Sequence, residues 1–252
     1  MDRAIYTALT GLSARARESV VTANNLANAQ VPGFRRDVVA QEGRYLAAKA
    51  AVDGAWAARA QVGSPSLATP QHAGKIAATG RDLDIALSGP HWLAVQGPMI
   101  AGEVREAYTR RGDLMVNNAG VLANGDGRVL VNAAGAPISV PPGATPRIGQ
   151  DGTVSITGPE GPQILGRLKL VDGTSLKSRD KAGDGLFLPQ EALAADPAAR
   201  VESGALESAN LTAAEAMVQL VEEQRGFELN ARLIKLTTEM DEQGARLIGQ
   251  NP

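Results

Sequence analysis

The side chains that most often do chemistry are scarce in this chain. It has no cysteine and only two histidines, His72 and His91. A zinc site would need carboxylates as well, and neither histidine stands at a metal-ligand spacing. His72 lies in a Pro-Gln-His loop and reads as surface, while His91 precedes Trp92 at the start of an apolar run and reads as packing or surface. Gly125-Asp126-Gly127 and Gly183-Asp184-Gly185 have glycines that could cradle a phosphate. Both lack the helix start and the Lys-Ser/Thr that such a loop needs, so they read as turns. Asn124 with Asp126, and Asp82 with Asp84, lack the distal glutamate that closes a calcium loop. There is no Gly-x-Ser-x-Gly element, and no third group to orient a Ser–His pair. The sequence is therefore read as that of a non-enzyme, with no catalytic, cofactor or metal site and no small-molecule substrate.

One stretch is unusual in another way. Residues Asn24–Asp37 read NNLANAQVPGFRRD. Asn side chains bond their own backbone and tolerate left-handed geometry, so an Asn-rich tip ends a helix. Pro32 lacks an amide hydrogen and disfavours helix at Val31. Gly33 follows, where only a residue without a side chain reaches positive φ at low cost. A helix stop followed by a loop is the simpler reading, but Asn24, Asn25 and Asn28 together exceed what a stop requires. This turn is expected to matter for assembly more than for folding. Changes at Gly33, Asn25 or Asn28 are expected to leave a β-rich body, far along the chain, unaffected.

Two helices flank that body. In residues 2–28, Ile5, Leu9, Leu12, Ala16, Ser19, Ala23 and Leu26 alternate steps of four and three, a coiled-coil-like seam whose second half is filled by small residues. Near the other end, Thr212 and Glu215 form a capping box. The helix after it carries a stripe through Met217, Leu220, Phe227 and Ile234. A second stripe runs through Leu229, Leu233, Leu236 and Met240 on a neighbouring face. A two-stranded coil buries one seam, so two stripes imply more than one neighbour. Between the helices, short apolar runs alternate with Gly- and Asn-rich turns. Asp151-Gly152, between Arg147-Ile148 and Val154-Ser155-Ile156, is a good hairpin signal.

The expected fold is α+β. Long N- and C-terminal helices pair as a coiled-coil-like terminal domain, and a mainly antiparallel β domain is inserted between them. The expected divisions are 1–37 (helical), 38–80 (connector), 81–190 (β domain), 191–211 (connector) and 212–252 (helical).

Composition bounds the function. A net charge of −2 gives no case for nucleic acid or an anionic membrane. The first helix, interrupted by Thr7, Thr10, Arg15, Arg17 and Glu18, is not a cleavable leader. Aromatic residues are only 3% of the chain. A sugar- or peptide-binding β domain on a dimerising coiled coil would be expected to show an aromatic platform, so that alternative has thin support.

Both ends and the middle resemble one family, the rod and hook proteins of the bacterial flagellum. The opening MDRAIYTALTGLSARARESVVTANNLAN is most similar to its proximal-rod members. Asn24, Asn25, Leu26, Ala27, Asn28, Gly33 and Phe34 fall on the signature after the first helix. LDIALSGPHWLAVQ and YTRRGDLMVNNAGVLANGDGRVLV resemble the opening of the family's β domain, and Arg111 stands where Asn is usual. The end places Glu207, Ser208 and Asn210 on a motif before the last helix. The resemblance implies a structural subunit of the basal-body rod, the alternative within the family being a distal rod or hook-like subunit. The implied partners are copies of itself, other proximal rod proteins, the distal rod protein and the flagellar type III export apparatus. It implies a periplasmic location reached without a cleaved signal peptide. The expected assembly interface is Ile5, Leu9, Leu12, Asn24, Asn25, Leu26, Asn28, Gly33 and Phe34, with Met217, Leu220, Phe227, Leu233, Ile234, Leu236 and Met240.

Overall fold

A computed structural model describes residues 2–40, 43–46, 59–62, 66–100, 102–158, 161–182 and 185–249. The chain divides into two compact units. One holds residues 1–27, 37–68 and 212–252; the other holds 28–36 and 69–211.

The first unit contains both α-helices of the described residues, α1 (Asp2–Ala27) and α2 (Ala213–Gly249). The start of α2 is set by the capping box. The Thr212 amide donates to Glu215 Oε2 at 2.9 Å, and the Glu215 amide donates to Thr212 Oγ1 at 3.2 Å. This closes two amides that the first turn leaves without helical partners. Two antiparallel ladders complete the unit: β1 (Val38–Ala40) pairs with β4 (Ser66–Ala68), and β2 (Gly43–Leu46) with β3 (Arg59–Val62). The side chains of residues 43–46 and 59–62, and all of 47–58 with Trp56, lie outside the described residues.

The expected terminal domain of long paired helices in a coiled coil is corrected here. The helices are unequal, at 26 and 37 residues. They touch along one side, but the expected seam is not what they bury. Leu9 is exposed and Leu12 half-buried on α1, and Met217 and Phe227 are exposed on α2. The buried positions are small or polar: Ala14, Thr22 and Asn25 on α1, Ala216 and Glu223 on α2. Thr22 Oγ1 donates to Glu223 Oε1 at 2.6 Å. Knobs-into-holes packing needs apolar residues at the seam, and a Thr–Glu bond is not that. Strands also share this unit, so it is not helical alone. Sequence periodicity identified which residues share a face; it carried no information on what covers that face.

The second unit is built from short antiparallel ladders. β5 (Ile76–Ala78) pairs with β16 (Ala205–Glu207), and β6 (Ile85–Leu87) with β15 (Val201–Ser203). β7 (His91–Ile100) lies between β8 (Glu103–Thr109) and β14 (Leu170–Asp172). β9 (Leu114–Val116) pairs with β10 (Leu122–Asn124). β11 (Pro146–Ile148), β12 (Thr153–Gly158) and β13 (Gly161–Arg167) form a meander. The turn between β11 and β12 is Asp151-Gly152, with Gly152 at φ 80°. Strand β7 organises the core. Its alternate residues point to opposite faces, and both faces are covered. Leu93 and Val95 pack with Ile85, Leu114, Leu122 and Leu130. Trp92 and Ala94 pack with Tyr108, Val171 and Phe187. The Trp92 and Phe187 ring centroids are 4.6 Å apart. Coverage on both sides explains why the run Trp92-Leu93-Ala94-Val95 shows no polar alternation.

Candidate functional site

The Asn-rich turn and the segment before α2, far apart in sequence, bear on the same question: how the chain ends are tied down. On α1, Asn25 is buried. Its Nδ2 donates to the Asp37 carbonyl at 2.7 Å, and its Oδ1 accepts from the Asp37 amide at 2.9 Å. One amide side chain thus staples the chain that returns at Asp37 to the last turns of the helix.

Residues 28–36 belong to the second unit. The Val31 amide donates to Asn28 O and the Phe34 amide to Val31 O, which makes a tight double turn. Gly33 closes it at φ 69°. The Gly33 amide donates to Glu207 O at 2.7 Å, and the Asn210 amide donates to Phe34 O at 3.1 Å. A Cβ placed on Gly33 would lie 2.2 Å from the Arg110 carbonyl oxygen. The glycine therefore permits positive φ and also lets two backbones touch. Phe34 is buried, with Lys181 Nζ 4.6 Å from its ring centroid and donating to Arg35 O at 2.5 Å.

Next to this turn lies a buried ionic triad. Arg35 Nη2 is 2.6 Å from Glu207 Oε1, and both side chains are 1% exposed. Arg110 Nε donates to Glu207 Oε2 at 2.8 Å. The Gly74 amide donates to Glu207 Oε1 at 2.9 Å. Arg110 spends its remaining donors on carbonyls, with Nη1 to Gly89 and His91 and Nη2 to Leu87. Burial pulls the Arg35 guanidinium below the usual arginine value, Glu207 opposes that, and the like charge of Arg110 adds to it. A buried charge without a partner costs several kcal/mol, so both arginines depend on the shared Glu207 carboxylate.

The arrangement binds chain to chain and offers no reacting atom. Among the described residues no group of three or more His, Cys, Asp or Glu could hold a metal ion. No helix among them is long and apolar enough to cross a membrane. His91 faces Ser88 O through Nδ1 and Asp196 Oδ2 through Nε2, and Arg111 bridges Asp113 and Asp126 across a turn.

Three family models match this chain. They are the flagella basal body rod protein model over residues 5–35, the flagellar hook protein FlgE/F/G D1 domain over 86–156, and the flagellar basal body rod FlgEFG protein C-terminal region over 202–247. The chain is 38% identical over 261 residues to the flagellar basal-body rod protein FlgF of Salmonella typhimurium strain LT2, covering 98% of this chain and 97% of that one. The chain belongs to the flagellar basal-body rod family. It is 37% identical to FlgF of Escherichia coli K12, with 93% of each chain covered. Against FlgG of Bacillus subtilis strain 168 the identity is 29%, over 95% of this chain and 97% of that one. It is a structural subunit of the basal-body rod, of the FlgF type.

Each matched region contributes one member of the triad: Arg35 closes the first, Arg110 lies in the second and Glu207 near the start of the last. Of the residues expected at an assembly interface, the structure places Asn25, Gly33 and Phe34 in buried intrachain contacts. Leu12, Leu26, Asn28, Leu220 and Ile234 are half-buried, and Leu9, Asn24, Met217, Phe227, Leu233, Leu236 and Met240 are exposed. The Ile5 side chain lies outside the described residues. Arg35 and Arg110 were not anticipated. The only sequence signal was an arginine directly after Gly-Phe and another after Tyr-Thr, and arginines are ordinarily at the surface.

Proposed function

We propose that this rod subunit assembles through the outward apolar faces of α1 and α2, against copies of itself and neighbouring proximal and distal rod proteins. The observation that carries this is the exposure of Met217, Val218, Val221, Leu229, Leu233, Leu236 and Met240 along one helix. Contiguous exposed apolar surface on a soluble chain marks an interaction face. The outer side of α1 adds to it: Ala16, Arg17, Val20 and Val21, with Val39 and Leu67, line an open groove. A shaft built by repeating one heterologous contact needs more than one such face per subunit. The role is mechanical, without catalysis. Delivery is by the flagellar type III export apparatus, and the working location is the periplasmic span of the basal body.

The test is a pair of charge substitutions on the outer stripe, Leu233→Asp and Leu236→Asp, expressed at native level. Both sites are more than half exposed, so the monomer should melt as the unaltered chain does. Incorporation into purified basal bodies and motility should both be lost, because an interface that buries an unpaired carboxylate is penalised by several kcal/mol. Normal incorporation of either variant would remove this stripe from the interface.

A further inference from the structure

The chain passes between its two units at four points: after residues 27, 36, 68 and 211. One side chain in the second unit stands on one of these strands and touches two others. Asn210 Oδ1 accepts from the Arg36 amide at 2.7 Å, one residue before the second crossing. Asn210 Nδ2 donates to Pro70 O at 3.1 Å and to His72 O at 3.4 Å, just after the third. Asn210 itself stands immediately before the fourth, and its own amide donates to Phe34 O at 3.1 Å. Its amide orientation is fixed by these partners, since one end meets an N–H and the other meets two carbonyls. Ser208, two residues earlier, adds a parallel pair of bonds. Its amide donates to Lys75 O, and its Oγ accepts from the Lys75 amide at 3.0 Å.

We propose that Asn210 is a positioning residue for rod assembly, a clasp that gathers three of the crossing strands at one place on the second unit. The core of that unit does not use it: Trp92, Tyr108, Phe187 and the leucines around Leu93 pack without Asn210. Its bonds instead order the segments that lead out of that unit. A helix that must enter a repeating lattice on loose tethers loses more freedom at docking than one whose tethers are already fixed. Removing the clasp therefore slows or weakens incorporation without unfolding the β unit. No backbone amide replaces it, because the Arg36 amide and the Pro70 and His72 carbonyls face a side chain and not a ladder.

The inference rests on the assembly reading only for its incorporation readout; its structural readout is independent of which face docks. Asn210→Ala removes all three side-chain bonds, and Asn210→Asp keeps an acceptor for the Arg36 amide while losing both donors. On purified full-length chain, hydrogen exchange at the Arg36 amide should rise about tenfold in Asn210→Ala and stay slow in Asn210→Asp. Both variants should keep the cooperative melt of the β unit, and both should incorporate into basal bodies at least about tenfold less than the unaltered chain. Normal incorporation of Asn210→Ala with a fast Arg36 amide would overturn the proposal. So would loss of the cooperative melt in both variants, which would make Asn210 a folding residue. If only Asn210→Ala fails to fold, Asn210→Asp decides: incorporation at the normal level overturns the proposal, and reduced incorporation supports it.

Discussion

Replacing Gly33 with alanine should destabilise the β unit, although the glycine stands just after the first helix and far along the chain from the core. At φ 69° a non-glycine residue carries backbone strain of roughly 1–2 kcal/mol. The added Cβ would lie 2.2 Å from Arg110 O, where an ordinary C···O contact is about 3.3–3.6 Å. One backbone must therefore move by on the order of 1 Å. The bond from the Gly33 amide to Glu207 O, 2.7 Å long, is then lost, at about 1 kcal/mol. These effects sum to roughly 2–3 kcal/mol. If the shift also parts Arg110 from Glu207, a further 3–5 kcal/mol or so follows, because breaking a buried pair leaves a charge uncompensated. For a unit of this size the smaller sum corresponds to a Tm lower by about 5–10 °C. Near-ultraviolet circular dichroism of Trp92, buried against Phe187, reports that melt. This departs from the expectation that changes in the turn leave the β body untouched: the turn is packed on that body. A Gly33→Ala chain that melts within about 1 °C of the unaltered one, yet fails to assemble, would refute the coupling and restore the assembly-only reading.

Further outcomes are expected. Glu207→Gln should cost about 3–5 kcal/mol, because two buried guanidinium groups lose their shared carboxylate, and a denaturant midpoint unchanged from that of the unaltered chain would contradict it. Thr212→Ala should cost about 1 kcal/mol by removing the N-cap of α2; hydrogen exchange should quicken in the first turn of α2 and not in the β unit. The Tyr108 hydroxyl donates to Glu106 Oε2 at 2.8 Å, and burial chiefly pushes its pKa up, with the Leu193 amide opposing and Glu106 adding. Unfolded tyrosine ionises near pH ~10, so this contribution is complete below that pH and is lost as pH rises through ~10 toward the folded value. An alkaline fall in Tm should be present in the unaltered chain and smaller in Tyr108→Phe, and equal falls in both would count against it.

What could be read from the sequence was local. Thr212 and Glu215 stand three residues apart, and Asp151-Gly152 lies between two alternating runs; each is closed by bonds within a few residues. The glycine after Pro32 adopts the positive φ that only a residue without a side chain reaches at low cost. What could not be read was long-range. Nothing in a charged residue's neighbours marks it for burial, so Arg35, Arg110 and Glu207 look like surface residues until the fold brings them together. The coiled-coil expectation failed for a related reason. Three-four spacing marks which residues share a face and not what covers it, and on these helices Leu9 and Phe227 are exposed. Family resemblance supplied the identity that composition and spacing did not.

The triad also acts as a check on the completeness of each chain. One of its arginines comes from the start of the sequence, the other from the β body, and the glutamate from just before the last helix. A subunit cut short before Glu207 keeps most of its β strands but leaves two buried guanidinium groups without their carboxylate. Such a fragment pays heavily to adopt the native body and tends toward the unfolded state, where proteases act. In a shaft that grows by adding units to an end, one defective unit would halt all later growth. A body that closes only when the segment before its last helix is present keeps truncated units out of that position.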